Sequence, residues 1–213
     1  MGETVLWAVA AVVVLAELHV VFHGPERAEP VLKPLSVVAI GVAAVGSGLL
    51  DRPWGIVALI GLAFGLLGDL LLLDGERSSR FMGGLASFLG GHLLYLAAFV
   101  MVGLSVNPWL ALAAVVCLGC LVVSRALLPS LWRAGDRPLA GAVASYMLVV
   151  TLAALLAGAT GRPLVAAGAA LFVVSDTILS MDRFLRPVRH GHLWVMATYL
   201  LAQTGIMAGL ALR

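Results

Sequence analysis

Long apolar stretches separated by short polar breaks occupy almost the whole chain. Each stretch is about 20 residues long, which is the length that an α-helix needs to cross the hydrocarbon core of a bilayer. The stretches do not alternate between apolar and polar residues, as the strands of a membrane barrel do. The pattern predicts eight transmembrane helices, at 4–22, 32–50, 55–73, 82–103, 107–128, 138–158, 163–181 and 192–212.

The composition agrees with this pattern. The chain is 62% hydrophobic and 11% charged, whereas a soluble domain carries about 25% charged residues. We therefore expect an all-α, polytopic membrane helix bundle that forms a single domain over residues 1–213. The composition, rich in Ala, Val and Gly, suggests a bacterium with a GC-rich genome and hence its inner membrane.

The basic residues are distributed unevenly between the two sides of the predicted bundle. Only three, Arg52, Arg162 and Arg213, lie on the side of the even-numbered loops. By the positive-inside rule, the odd loops are then cytoplasmic and both termini lie outside. The ten basic residues in or beside loops 1, 3, 5 and 7 are Arg27, Lys33, Arg77, Arg80, Arg125, Arg133, Arg137, Arg183, Arg186 and Arg189.

The two halves of the chain show similar spacings. Asp69 precedes His92 by 23 positions, and Asp176 precedes Tyr199 by the same number. Such a spacing is typical of a parallel repeat of two four-helix halves. Chance similarity between helices rich in Leu and Ala is the other interpretation.

Asp69 and Asp176 are carboxylates inside predicted spans. A charged group in hydrocarbon costs roughly 2.5–3.5 kcal/mol or more on insertion scales, so it usually faces a partner, water or a substrate. Both aspartates are therefore candidate functional residues.

Other polar side chains share the cytoplasmic half of the membrane with the two aspartates. Seven of the eight predicted helices supply one there, and helix 5, which does not, is expected to face lipid. This asymmetry predicts a polar pocket that opens toward the cytoplasm. Besides Asp69 and Asp176, its candidate residues are Glu17, Lys33, His92, Tyr95, Tyr146, Ser175, Tyr199 and Gln203.

Each supporting residue also has a purely structural interpretation. Lys33 can extend to the interface, the tyrosines can pack with a satisfied hydroxyl, and Gln203 can bond between helices. His190 and His192 are expected in a solvated loop. Cys117 and Cys120 are expected to be small buried apolar residues.

Several familiar motifs are missing from the sequence. It contains neither a Gly-x-Ser-x-Gly elbow nor a His-Glu-x-x-His metal motif. Asp74-Gly75 lacks the later Asp-x-x-x-Asp of CDP-alcohol phosphotransferases. We expect no cofactor, metal, nucleic acid or protein partner, only membrane lipid and a lipid substrate.

A set of five short motifs resembles the YhhN family, whose multi-helix membrane proteins include animal lysoplasmalogenases. The resemblance covers about residues 30–210 and implies hydrolysis of the vinyl ether bond of a lysoplasmalogen, a lysophospholipid, to a fatty aldehyde and a glycerophospho-base. The family's two aspartates map onto Asp69 and Asp176. The motifs are Lys33-Pro34-Leu35, Gly65-Leu-Leu-Gly68-Asp69, Phe88-Leu-Gly-Gly-His92-Leu-Leu-Tyr95, Phe172-Val-Val-Ser175-Asp176 and Thr198-Tyr199-Leu-Leu-Ala-Gln203.

Vinyl ether hydrolysis gives two carboxyl groups separate tasks. One protonates the β-carbon, and the other, as an anion, stabilises the resulting oxocarbenium ion and orients water, as in glycosidases. The sequence does not assign these tasks between Asp69 and Asp176. We expect His92, Tyr199 and Gln203 to hold the carboxylates or the water, and Lys33 to meet the phosphate.

Two other functions are compatible with the same residues. Intramembrane carboxylates and a repeat also suit a proton-coupled transporter. Such a pathway needs polar residues in both leaflets, whereas the outer half of this chain is apolar. A scaffold that binds lipid without chemistry is the third possibility.

Overall fold

The computed structural model of the protein describes residues 2–24, 28–73, 78–133 and 135–212, with the side chains of residues 78 and 79 left out. The described chain is helical, and eight of its helices are long and apolar enough to cross a membrane. The predicted eight-helix bundle is thus confirmed. The helices are α1 (Gly2–His23), α2 (Glu29–Gly46), α3 (Gly55–Leu72), α4 (Ser78–Val102), α5 (Pro108–Arg133), α6 (Arg137–Ala159), α7 (Pro163–Phe184) and α8 (Gly191–Ala211), with a short 3₁₀ turn at Leu49–Asp51.

Two helix ends differ from the sequence prediction for physical reasons. Helix α2 ends at Gly46, before the predicted residue 50, because Gly48 adopts a left-handed φ of 76° that glycine tolerates. Helix α5 continues through Pro129 to Arg133. Transmembrane helices accommodate proline, although the missing N–H of Pro129 leaves the Arg125 carbonyl oxygen without its usual helical donor. At the end of the helix, the Arg133 Nε donates to the Pro129 carbonyl oxygen at 3.1 Å.

Consecutive helices pack side by side in the order α1–α2, α3–α4, α5–α6 and α7–α8. Helix α8 is the most buried of the eight, and it contacts α7, α2, α1 and α3. Helix α5 packs against α6 and α7 while exposing an apolar outer face that includes Val115 and Leu118. Helix α5 is therefore lipid-facing on one side and part of the bundle on the other.

Glycines bring several of these helices into backbone contact. A Cβ atom added to Gly168 of α7 would lie 2.7 Å from the Ile206 backbone nitrogen of α8. A Cβ on Gly91 of α4 would lie 2.9 Å from the Gly61 carbonyl oxygen of α3. Small residues at such crossings are the usual basis of helix association in membranes. They fix α3 against α4 and α7 against α8, the pairs that carry the two aspartates.

Candidate active site

A cavity of about 410 Å³ lies at the end of the bundle where the odd-numbered helices finish and the even-numbered helices begin. Six helices line it, namely α2, α3, α4, α6, α7 and α8. Its volume is in the range of sites for small organic ligands. Both Asp69 and Asp176 line this cavity, so the tertiary structure brings the two intramembrane carboxylates to one site.

Asp69, near the end of α3, is held by a cation and a phenol. The Lys33 ammonium of α2 lies 3.1 Å from Asp69 Oδ1, and the Tyr199 hydroxyl of α8 donates to Oδ2 at 2.5 Å. Only 3% of the Asp69 side chain and 11% of the Lys33 side chain are exposed. A buried carboxylate with an ammonium partner is favoured in its charged form. The pair therefore places a carboxyl group and an ammonium partner together in the wall of the cavity.

A hydrogen-bond chain behind Asp69 fixes the orientation of Tyr199. The Gln203 Nε2 atom donates to the Tyr199 oxygen at 3.4 Å, and the Tyr95 hydroxyl donates to Gln203 Oε1 at 2.7 Å. Neither Tyr95 nor Gln203 lines the large cavity. Their hydrogen bonds connect them to the cavity through Tyr199.

Asp176 of α7 has a different environment. The Tyr146 hydroxyl of α6 donates to Asp176 Oδ2 at 2.7 Å. Within the described part of the chain, no lysine or arginine lies at ion-pair distance from Asp176. Asp69 and Asp176 are thus held in related ways, each by a residue of the preceding even-numbered helix, but one holder is a cation and the other is neutral.

His92 and Ser175 have structural contacts at this site. The His92 Nδ1 atom donates to the Phe88 carbonyl oxygen at 2.9 Å, and the imidazole packs edge-on against Tyr146 and Phe172. The Ser175 hydroxyl donates to the Val195 carbonyl oxygen at 3.0 Å, which ties α7 to α8. His92 lies beneath the large cavity, whereas Ser175 lines it.

Sequence reasoning missed three residues that also line the cavity, Glu29, His192 and Arg183. The His192 Nε2 atom lies 2.8 Å from Glu29 Oε1, whereas the sequence suggested that His192 belongs to a solvated loop. Their spacing in the sequence could have identified them. Each lies four or seven positions from a candidate site residue of the same helix, and therefore on the same helix face.

Glu17 of α1 is completely buried behind this site. Neither of its carboxylate oxygens has a hydrogen-bond partner among the described residues, and it interacts electrostatically with Glu29 and Lys33. Sequence depth placed Glu17 on the correct side of the bundle. Its contacts required the packing of α1 against α2 and α8.

Comparison with known proteins connects this geometry to a family. The model of the YhhN family matches residues 28–210. Human lysoplasmalogenase TMEM86A is 30% identical over 189 residues, which cover 84% of this chain and 76% of the relative. Pig lysoplasmalogenase TMEM86B is 38% identical over 144 residues, covering 64% of this chain and 55% of the relative. No solved structure matches the chain significantly.

Proposed function

We propose, because the chain belongs to the YhhN family, that it hydrolyses the vinyl ether bond of a lysoplasmalogen, giving a fatty aldehyde and a glycerophospho-base. One observation carries the proposal: two carboxyl groups with different partners line one cavity at one end of a membrane bundle. The relatives named lysoplasmalogenase support the same substrate class.

The contacts of the two aspartates suggest which one is the acid. Lys33 and Tyr199 favour the carboxylate form of Asp69. Asp176 has no lysine or arginine at ion-pair distance among the described residues, so its apolar surroundings favour the protonated carboxyl, although the Tyr146 hydroxyl donates to it. In the proposal Asp176 is therefore the general acid, and Asp69 is the anion that faces the developing positive charge.

The reaction then follows in balanced steps. Asp176 transfers its proton to the β-carbon of the vinyl ether, and the α-carbon becomes an oxocarbenium ion that the Asp69 carboxylate stabilises. Water adds to the α-carbon and loses a proton to the Asp176 carboxylate, which gives a hemiacetal. The hemiacetal hydroxyl then loses its proton as the C=O bond of the aldehyde forms, the bond to the glycerol oxygen breaks, and that oxygen takes up a proton. Tyr146 and Tyr199 orient the two carboxyl groups throughout.

The supporting residues take positioning roles in this proposal. Lys33 neutralises Asp69 and is too buried to be the principal phosphate contact at the cavity mouth. Tyr95 and Gln203 orient Tyr199, and His92 packs beside Tyr146. Apolar cavity residues such as Leu72, Leu85 and Met196 provide a surface for the alkenyl chain.

The proposed location is the inner membrane of a bacterium, with the odd loops and the cavity on the cytoplasmic side. The excess of basic residues in those loops supports this orientation. Epitope tags at both termini test it, and a tag at the C-terminus that is accessible only from the cytoplasm would contradict it.

The decisive experiment measures aldehyde release by purified protein from two lysolipids with the same head group. The vinyl ether substrate should release fatty aldehyde, and the saturated alkyl ether analogue should not, because it has no double bond to protonate. Equal inertness toward both would refute the proposal. Proton uptake by reconstituted vesicles, without aldehyde release, would favour a transporter.

A further inference from the structure

Glu17 of α1 is a completely buried carboxyl group that the proposed reaction does not use. Neither of its carboxylate oxygens has a hydrogen-bond partner among the described residues. An isolated carboxylate in a dry interior is costly, so an unpartnered carboxyl is favoured in its protonated form. A polar group in such a position calls for an explanation beyond packing.

The register of α1 against α2 places Glu17 beside Lys33. The Ser36 hydroxyl of α2 donates to the Val13 carbonyl oxygen of α1 at 3.5 Å, which fixes these two residues side by side. The two helices run in opposite directions, so one turn toward the cavity from this contact leads to Glu17 on α1 and to Lys33 on α2. Glu17 interacts electrostatically with Lys33 and, beyond it, with Asp69.

The Lys33 ammonium opposes the role proposed for Asp69. It lies 3.1 Å from Asp69 Oδ1, and the Tyr199 hydroxyl occupies Oδ2. An oxocarbenium ion beside Asp69 brings a second positive charge toward the same carboxylate, and like charges repel strongly where water is excluded. Full stabilisation of that ion therefore requires the ammonium to move away from Asp69.

Lys33 is suited to such a movement. Its side chain lines the cavity, and a lysine ammonium is a point charge with three donors on a flexible stem. Asp69 lies on α3 and Glu17 on α1, the two helices that flank Lys33 along the chain. A carboxylate that gains an ammonium partner is favoured in its charged form, so the arrival of Lys33 would stabilise ionised Glu17.

We propose that Glu17 is a second partner for the Lys33 ammonium and receives it when positive charge develops on the substrate beside Asp69. Glu17 is then a positioning residue that acts through Lys33, and the inference rests on the proposed function and deepens it. On receiving the ammonium, the Glu17 carboxyl releases its proton to the solvent by way of His192 and Glu29. These two residues interact electrostatically with Glu17 and are partly exposed at the cavity. Glu17 takes a proton back when Lys33 returns to Asp69.

Binding of two inert lysolipids tests the proposal without turnover. One carries a protonated secondary amine in place of the vinyl ether oxygen and represents the cation; the other is the neutral alkyl ether. We expect Glu17→Gln to weaken binding of the amine about tenfold and to change binding of the ether less than twofold. Equal losses for the two lysolipids, or no loss for either, would overturn the proposal.

The reaction rate gives a second measurement. Glu17→Gln should lower kcat for aldehyde release about tenfold and leave KM within twofold, because the ammonium moves only as the cation forms. Glu17→Asp, which keeps a carboxyl group, should restore part of the loss. Glu3→Gln is the matched control, since Glu3 is exposed on the same helix. A Glu17→Gln protein with the kcat of wild type would overturn the proposal.

Thermal unfolding in detergent tests the contact of Glu17 with Lys33 independently of any activity. In the wild-type background, Glu17→Met should leave the melting temperature within about 2 °C or raise it, because it removes an unpartnered carboxyl. In the Asp69→Asn background, the same change should lower the melting temperature by about 4 °C or more. There Glu17 compensates in part for the missing Asp69 carboxylate, and Glu17→Met removes this last carboxyl from Lys33.

The combined variant Asp69→Asn, Lys33→Met is the control for this comparison. Without an ammonium to receive, Glu17→Met should again have no destabilising effect. Equal changes in melting temperature in all three backgrounds would overturn the proposal. If wild-type protein releases no aldehyde, the hydrolase proposal fails, and the unfolding comparison still decides whether Glu17 is a partner of Lys33.

Discussion

The two ends of the bundle use polar residues in opposite ways. At the open end, which holds the cavity, Lys33, Asp69 and Asp176 face a space that a ligand can enter. At the closed end, Arg162 donates to the Gly209 and Leu212 carbonyl oxygens at 2.9 and 3.1 Å, and the Trp54 indole donates to the Leu210 carbonyl oxygen at 3.2 Å. Those carbonyls belong to the last turn of α8, where a helix has no internal donors for them.

Packing follows the same division. In the closed half, Gly168 and Gly205 let α7 and α8 touch at their backbones. In the open half, the same two helices line a cavity of about 410 Å³. Burial and the nearby charge of Arg52 lower the pKa of the Arg162 guanidinium, as expected for a cation that is partly buried against the end of a helix. Close helix packing at one end and the proposed chemistry at the other are thus separated along the helix axes.

The largest expected effect of a single change is on the reaction rate at the open end. Asp176→Asn removes the proposed acid, and general acid catalysis is worth roughly 10²–10⁴-fold. We expect kcat for aldehyde release to fall by about that factor. The melting temperature in detergent should stay within about 2 °C of wild type, because no charged partner is left unpaired. An active Asp176→Asn protein would contradict the assignment of the acid.

Asp69→Asn should reduce both rate and stability, since it leaves the Lys33 ammonium buried without its counter-ion. Breaking a buried ion pair by removing one partner costs about 3–5 kcal/mol. The double variant Asp69→Asn, Lys33→Met should recover most of that free energy of unfolding and none of the activity. Denaturation in detergent, combined with an aldehyde assay, measures the two effects separately. Recovery of activity in the double variant would remove Asp69 from the mechanism.

At the closed end, the methyl group that Gly168→Ala adds is expected to change the stability of the protein and not its activity. Gly168→Ala forces apart two backbones and should cost about 1–3 kcal/mol of unfolding free energy. Gly119→Ala is the matched control, because a Cβ there meets nothing within 4 Å and alanine is the better helix former. Folded Gly168→Ala protein should keep at least half of its specific activity. A rate loss as large as that of Asp176→Asn would show that the ends are not separable.

The smallest expected effect comes from the cap of α8. Arg162→Gln removes donors from the Gly209 and Leu212 carbonyl oxygens, and a hydrogen bond contributes about 1 kcal/mol net. We expect a fall in melting temperature of a few degrees, read from thermal unfolding in detergent. The Michaelis constant should not change; an increase would link the closed end to substrate binding.

Much of the fold was predictable from the sequence because the bilayer requires it. An apolar run of about 20 residues has one stable conformation in hydrocarbon, the α-helix. The prediction of eight helices and of a membrane protein was therefore correct. Proline misled the prediction at α5, since the helix continues through Pro129 where sequence rules end it. The family resemblance is confirmed, because it rests on short motifs whose order along the chain is visible in the sequence.

The candidate site was only partly predictable. Asp69 and Asp176 are conspicuous because a charge in an apolar run is expensive. Their different partners were not visible, since Lys33 lies 36 positions from Asp69 and Tyr146 lies 30 positions from Asp176. The positions of Arg183 and Glu29 in the wall of the cavity were also hidden, because residues near helix ends look solvated until the neighbouring helices are placed.

The sequence by itself determined that this protein crosses a membrane eight times and that its expensive polar groups lie toward one end of the bundle. Hydropathy and helical rise are properties of single segments, so no contact between segments is needed to infer them. Only the tertiary structure decided that α3 and α7 bring Asp69 and Asp176 to one cavity, and that Asp69 has an ammonium partner while Asp176 has a phenol. Those differences depend on distances between helices, and electrostatic interaction changes steeply over such distances.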